Sequence, residues 1–117
     1  MIDQIDQFAE LANLSLLDGT YSPRQRRNPG PVKYGFVLDP DDDRYIVAVP
    51  AQMEALIDGL KYLQQGFSLR KVARYVTGRT GRVLDHKVIE ALWKKEKHLQ
   101  RQRRQIAAVV GLPHVSA

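Results

Sequence analysis

Arg70, Lys71 and Arg74 stand in SLRKVARYV, Arg79 and Arg82 follow in TGRTGR, and His86, Lys87 and Lys94 come next in DHKVIEALWKK. The chemistry that such groups do in common is recognition of anions. A guanidinium presents a planar fork of N–H donors that matches a phosphate, and an ammonium supplies a mobile point charge. Ser68 is suited to cap a helix in which Leu69, Val72, Ala73 and Val76 share an apolar face while Arg70, Lys71 and Arg74 share a basic one. Ala73 is small where two helices must approach, the glycines of TGRTGR tolerate a positive φ in a turn from Thr77 to Leu84, and Asp85 is placed to cap a second helix. There His86, Lys87 and Glu90 are expected to point outward and Val88, Ile89, Leu92 and Trp93 to form a buried seam.

This spacing predicts a helix-turn-helix with an unusually long turn. Arg70, Arg74, Arg79 and Arg82 are the expected phosphate contacts, Lys71 and Lys94 belong to the same DNA-binding set, and the exposed N-terminal residues of the second helix would reach base edges. The alternative is a helical hairpin whose basic face is merely solvated. Charge is distributed unevenly: residues 1–60 carry five Lys/Arg against ten Asp/Glu, and residues 61–117 carry thirteen against three, within a net charge of +5. The basic half is where a polyanion would bind, although the acidic half of a second copy would also suit it.

Two further basic groups are secondary candidates. Arg24, Arg26 and Arg27 fall in TYSPRQRRNPGPV, whose prolines and glycine exclude a helix and suggest an extended basic arm over residues 20–32. Arg101, Arg103 and Arg104 fall in a tail, residues 96–117, that is expected to prolong the second helix and then turn apolar, which suggests an oligomer contact. Catalytic patterns are missing. There is no cysteine, the three histidines lie far apart with no carboxylate at metal-ligand spacing, no serine sits in a nucleophile elbow, and TGRTGR lacks the lysine and hydroxyl of a phosphate-binding loop. Asp39, Asp41 and Asp43 lack the glycine and distal glutamate of a calcium loop. The expectation is therefore no catalytic residue, no metal and no cofactor.

The elements that must position the basic residues are also legible. Ile2, Ile5, Phe8, Leu11 and Leu14 form an amphipathic helix within residues 1–19, ended by Gly19. KYGFVL and RYIVAV read as a β-hairpin around the acidic turn DPDDD, and Pro50 opens a core helix through Met53, Leu56, Ile57, Leu60 and Leu63 that Gly66 closes. Residues 33–95 are thus the expected hairpin and helix-turn-helix domain. The fold class expected is mainly α, an α+β arrangement with a short hairpin ahead of a helical bundle and a long basic C-terminal helix. At 117 residues the chain suits one compact unit with arms. Its apolar runs are too short to span a bilayer, and its acidic N-terminus does not resemble a secretory signal, so a cytoplasmic protein with no membrane partner is expected.

The order YGF strand, second strand ending in VP, long helix, GFSLRKVARYV and a glycine-bearing turn resembles the helix-turn-helix segment that follows the catalytic domain of large serine recombinases. It is equally similar to helix-turn-helix segments attached to terminases of tailed phages. The resemblance covers roughly residues 34–95 and assigns the recognition role to His86 and Lys87. With no recombinase catalytic domain and no Walker motif, it implies a DNA-binding module alone, best matched in size by a small terminase subunit. The expected function is thus non-enzymatic recognition of double-stranded DNA in phage genome packaging, inside a host cytoplasm, as a homo-oligomer that works with a large terminase or another phage protein. A transcription regulator or recombination accessory factor, and an assembly protein using its basic helices for protein contacts, are the alternatives.

Overall fold

The computed structural model describes residues 15–109. The helix expected near the N-terminus therefore lies, for residues 1–14, outside the described residues. Its described end, Leu16–Asp18, is a single 3₁₀ turn closed by Gly19 in the left-handed region at φ 77°.

Three short strands follow: β1 (Arg24–Arg26), β2 (Phe36–Leu38) and β3 (Tyr45–Ala48), all antiparallel in the order β1-β3-β2. The β2–β3 pair is the expected hairpin, with Phe36 opposite Ala48 and Leu38 opposite Ile46. The first strand was not expected. Within the basic arm, Arg24–Arg26 pairs with Tyr45–Val47, and the ladder is extended at its ends by Ala48 N–H donating to the Pro23 carbonyl and Arg27 N–H to the Arg44 carbonyl, both at 2.8 Å. Prolines bar a helix here but are tolerated beside an edge strand. Arg24 adds a side-chain anchor: it stacks 3.8 Å over the Tyr45 ring and pairs with Asp39 at 2.9 Å.

The acidic run between β2 and β3 is turn chemistry. Asp39 accepts from the Asp41 N–H at 2.9 Å, and Asp42 accepts both the Arg44 N–H at 3.0 Å and two guanidinium bonds from Arg44 at 2.9 and 2.8 Å. Those bonds to Arg44 pull the Asp42 carboxyl down to about 2.

Three helices form the rest: α1 (Pro50–Gln64), α2 (Leu69–Thr80) and α3 (His86–Val109). Pro50 takes the first position of α1, where no N–H is needed. The apolar stripe of α1 is buried at Met53, Leu56, Leu60 and Leu63, that of α2 at Val72, Ala73 and Val76, and Ile89 of α3 closes against both. Phe36 and Ile46 bring one face of the sheet onto the same core. The architecture is mainly α with a small antiparallel sheet ahead of the helices. Among the described residues no helix is long and apolar enough to cross a membrane.

Helix crossing depends on Gly59. A β-carbon there would lie 2.9 Å from Val76 Cγ2, 3.0 Å from Val72 Cγ1 and 3.3 Å from Ile89 Cδ1, so the backbone of α1 itself is what α2 and α3 touch. Gly59→Ala gains about 1 kcal/mol in helix propensity but forces an overpacked junction costing about 1–3 kcal/mol, so net destabilisation is expected in urea unfolding. In the hairpin, a folded pKa below the unfolded value of about 3.9 means that Asp42 contributes stability fully above that value and loses it as pH falls through about 2. Carbon-detected NMR should find Asp42 titrating there, and Arg44→Ala should return it toward the ordinary carboxylate range.

Candidate nucleic-acid interface

Helix α2 begins as its sequence dictates, with Ser68 Oγ accepting the Lys71 N–H at 3.2 Å. It ends later than expected. Gly78 stays helical, α2 runs on to Thr80, and only Gly81 adopts a positive φ, 78°, with its N–H donating to the Thr77 carbonyl at 2.8 Å. The connection is therefore residues 81–85 and not the span from Thr77, because one left-handed residue suffices to end a helix. Thr77 Oγ1 accepts the Leu84 N–H at 2.9 Å and shapes the turn. Asp85 then caps α3 as expected, its Oδ1 accepting the Lys87 N–H at 2.8 Å.

Between α2 and the start of α3 lies an open groove of about 780 Å³, lined among others by Arg70, Arg74, Thr77, Val83, Asp85 and His86. Of the cations selected from the sequence, the structure brings Arg70, Arg74 and His86 together here. Arg70 and Arg74 are exposed and make no hydrogen bond or ion pair among the described residues. Lys87 is exposed next to His86 at the first turn of α3, where the helix dipole adds positive potential. The acid Asp85 is partly spent on capping, and its Oδ1 lies 3.4 Å from His86 Nδ1. Val83, 80% exposed, and Val88, 43% exposed, supply apolar contact at the same end of α3. Val88 was expected in the buried seam; the stripe that α3 buries instead passes through Ile89, Glu96 and Leu99, with Leu92 and Trp93 partly buried on the core, and Val88 falls outside it.

Arg82 is the main correction. Its guanidinium is turned inward, with Nη1 donating to the Phe36 carbonyl and to Gln52 Oε1, each at 2.9 Å, and Nη2 donating to the Val32 carbonyl at 2.6 Å. It also stacks 5.2 Å over the Tyr34 ring. Three of its five N–H donors are thereby committed to the sheet and α1, so the fork faces inward and not toward a phosphate beside α2. Arg79 is likewise engaged, bonded to Asp58 of α1 and, at 3.0 Å, to the Tyr75 hydroxyl; these bonds raise its pKa further. Lys71 stands on another side of α2, in a shallow groove with Tyr62, Phe67 and Tyr75. Lys94 pairs with Glu90 one turn back at 3.1 Å.

No family model matches this chain, and no curated protein or solved structure matches it either. The assignment of a site thus rests on geometry.

The secondary groups do not line the groove. Arg24 is engaged with Asp39 and Tyr45, Arg26 lies 6.0 Å from the same ring, and Arg27 is exposed at the sheet edge. Arg103 pairs with Asp18 at 2.8 Å, and Arg101 and Arg104 are exposed near the far end of α3, roughly 20–25 Å along the axis from Lys87. Among the described residues no group of acids or histidines is placed to hold a metal ion. Periodicity also missed Glu96, 4% exposed on the inner face of α3, whose carboxylate accepts from Ser15 Oγ and the Leu16 N–H, both at 2.7 Å. No local signal distinguishes it from the solvated acids of such a helix.

Arg82→Met should destabilise the fold by about 2–3 kcal/mol, because two carbonyls lose their side-chain donor and the Gln52 oxygen loses one of two. Urea unfolding would check this, and Arg82→Lys should not restore stability, since an ammonium cannot span the three acceptors.

Proposed function

We propose that this chain is a non-enzymatic double-stranded DNA-binding protein that docks the N-terminal turn of α3 in a major groove, with Arg70 and Arg74 on the flanking phosphates. The observation that carries the reading is the groove between α2 and α3, where two arginines without carboxylate partners among the described residues stand near His86 and Lys87 at a capped helix start. Helix N-termini and unpaired guanidinium groups are both suited to phosphate, and a long side chain at a first turn reaches base edges. Exposed Val88 suits contact with a thymine methyl group. The resemblance of residues 34–95 to phage terminase and recombinase segments supports genome packaging as the setting, with a large terminase as partner and a homo-oligomer as the assembly.

Fluorescence anisotropy of a labelled random duplex across a salt series tests the proposal. Log affinity should fall steeply with log salt, and replacing Arg70 and Arg74 together by alanine should lower the slope by about 1.8, or about 0.9 per lost phosphate contact. Lys87→Ala should change the sequences selected more than the affinity for random duplex. An affinity and slope untouched by the arginine pair would overturn the assignment, and selection of a defined palindromic operator would favour a transcription regulator instead.

A further inference from the structure

A second concavity, about 270 Å³ and half enclosed, opens where β2, α1 and the middle of α3 meet. Its depth is apolar, formed by Phe36, Met53, Leu56 and Leu92, and its polar rim includes Lys33, Lys95 and Gln25. The volume sits near the lower end of small-molecule sites, which start at roughly 300 Å³, and so suits one ring or a short chain.

Two cations border this cavity without a counter-ion among the described residues. The Lys33 ammonium donates to the neutral Gln25 Oε1 at 2.6 Å and lies 4.8 Å over the Phe36 ring. Lys95 makes no ion pair among the described residues. The lining acid Glu96 forms no ion pair with either lysine; its two oxygens are directed to Ser15 Oγ and the Leu16 N–H. Partial burial first, and the charge of Lys95 second, lower the Lys33 pKa. Two like charges above an apolar floor, with the local carboxylate committed elsewhere, are complementary to a molecule that is anionic at one end and apolar at the other.

We infer that this cavity is a binding site for a compact carboxylic acid, its carboxylate between Lys33 and Lys95 and its apolar body against Met53, Leu56 and Leu92. The site is separate from the groove beside α2 and stands whether or not that groove binds DNA.

The test is a nitrogen–proton correlation NMR titration of the full chain with 3-phenylpropionate, and in parallel with the neutral 3-phenylpropionamide. The acid should give saturable shifts centred on Lys33, Phe36, Leu92 and Lys95 and bind about tenfold more tightly than the amide, a factor equivalent to about 1.4 kcal/mol. Lys33→Met and Lys95→Met should each weaken the acid and leave the amide unchanged. Equal binding of acid and amide, shifts centred on Arg70 and Arg74, or no saturable shift would overturn the inference. The comparison of acid with amide needs no variant, so a misfolded substitution cannot mask the answer.

Discussion

The Arg82 guanidinium is the interaction on which the arrangement of sheet and helices depends. It stands in the turn between α2 and α3 and donates to Val32 and Phe36 at the start of the hairpin and to Gln52 in the first turn of α1. Gln52 Oε1 also accepts the Gly35 N–H at 3.0 Å, and the Tyr34 hydroxyl bonds Thr80 Oγ1 at the end of α2, so one network joins sheet, α1 and the turn. Carbonyls at the end of a strand and the donors of a turn would otherwise need water or each other. A planar cation with five donors satisfies several at once and fixes their relative orientation. The start of α3, where His86 and Lys87 stand, is thereby set relative to the sheet by a bond at its own doorstep.

Charge in this molecule divides into an internal share and an outward one, and the division follows from which side chains find acids. Arg79 with Asp58, Arg24 with Asp39, Arg103 with Asp18 and Lys94 with Glu90 are pairs at the surface, which add little to stability, yet each removes a cation from the set available to a polyanion. What is left on α2 among the described residues is Arg70 and Arg74 on one side and Lys71 on another. The count of basic residues in the C-terminal half therefore overstates the interface. Buried Glu96 makes the complementary point: a carboxylate within a basic helix serves here to hold the chain at Ser15 and Leu16, and its burial is tolerated because both oxygens are hydrogen-bonded.

Periodicity, caps and punctuation were enough for most of the architecture. The apolar spacing of residues 53–63 and 69–76, the proline at position 50, the serine at 68 and the aspartate at 85 are local signals, and each acts within a turn or two of where it stands in the sequence. The hairpin was equally local, since its turn acids bond their own neighbours. Selecting Arg70, Arg74, His86 and Lys87 needed only helix geometry, but the same reading also selected Lys71, Arg79, Arg82 and Lys94, which the structure places elsewhere, and it expected a longer connection.

What tertiary structure alone decided is of another kind. That Arg82 turns inward, that Arg79 meets Asp58, that Arg24–Arg26 adds a third strand and that Glu96 is buried all depend on partners 15 to 81 residues away in the chain. A basic residue in a basic stretch carries no mark of such a partner. The sequence by itself determined the helices, the hairpin and the faces that α1 and α2 bury, because those choices are set by backbone preference and the period of apolar residues. The folded chain decided which charges remain for a ligand, because hydrogen bonding and ion pairing are settled only once distant segments share a surface.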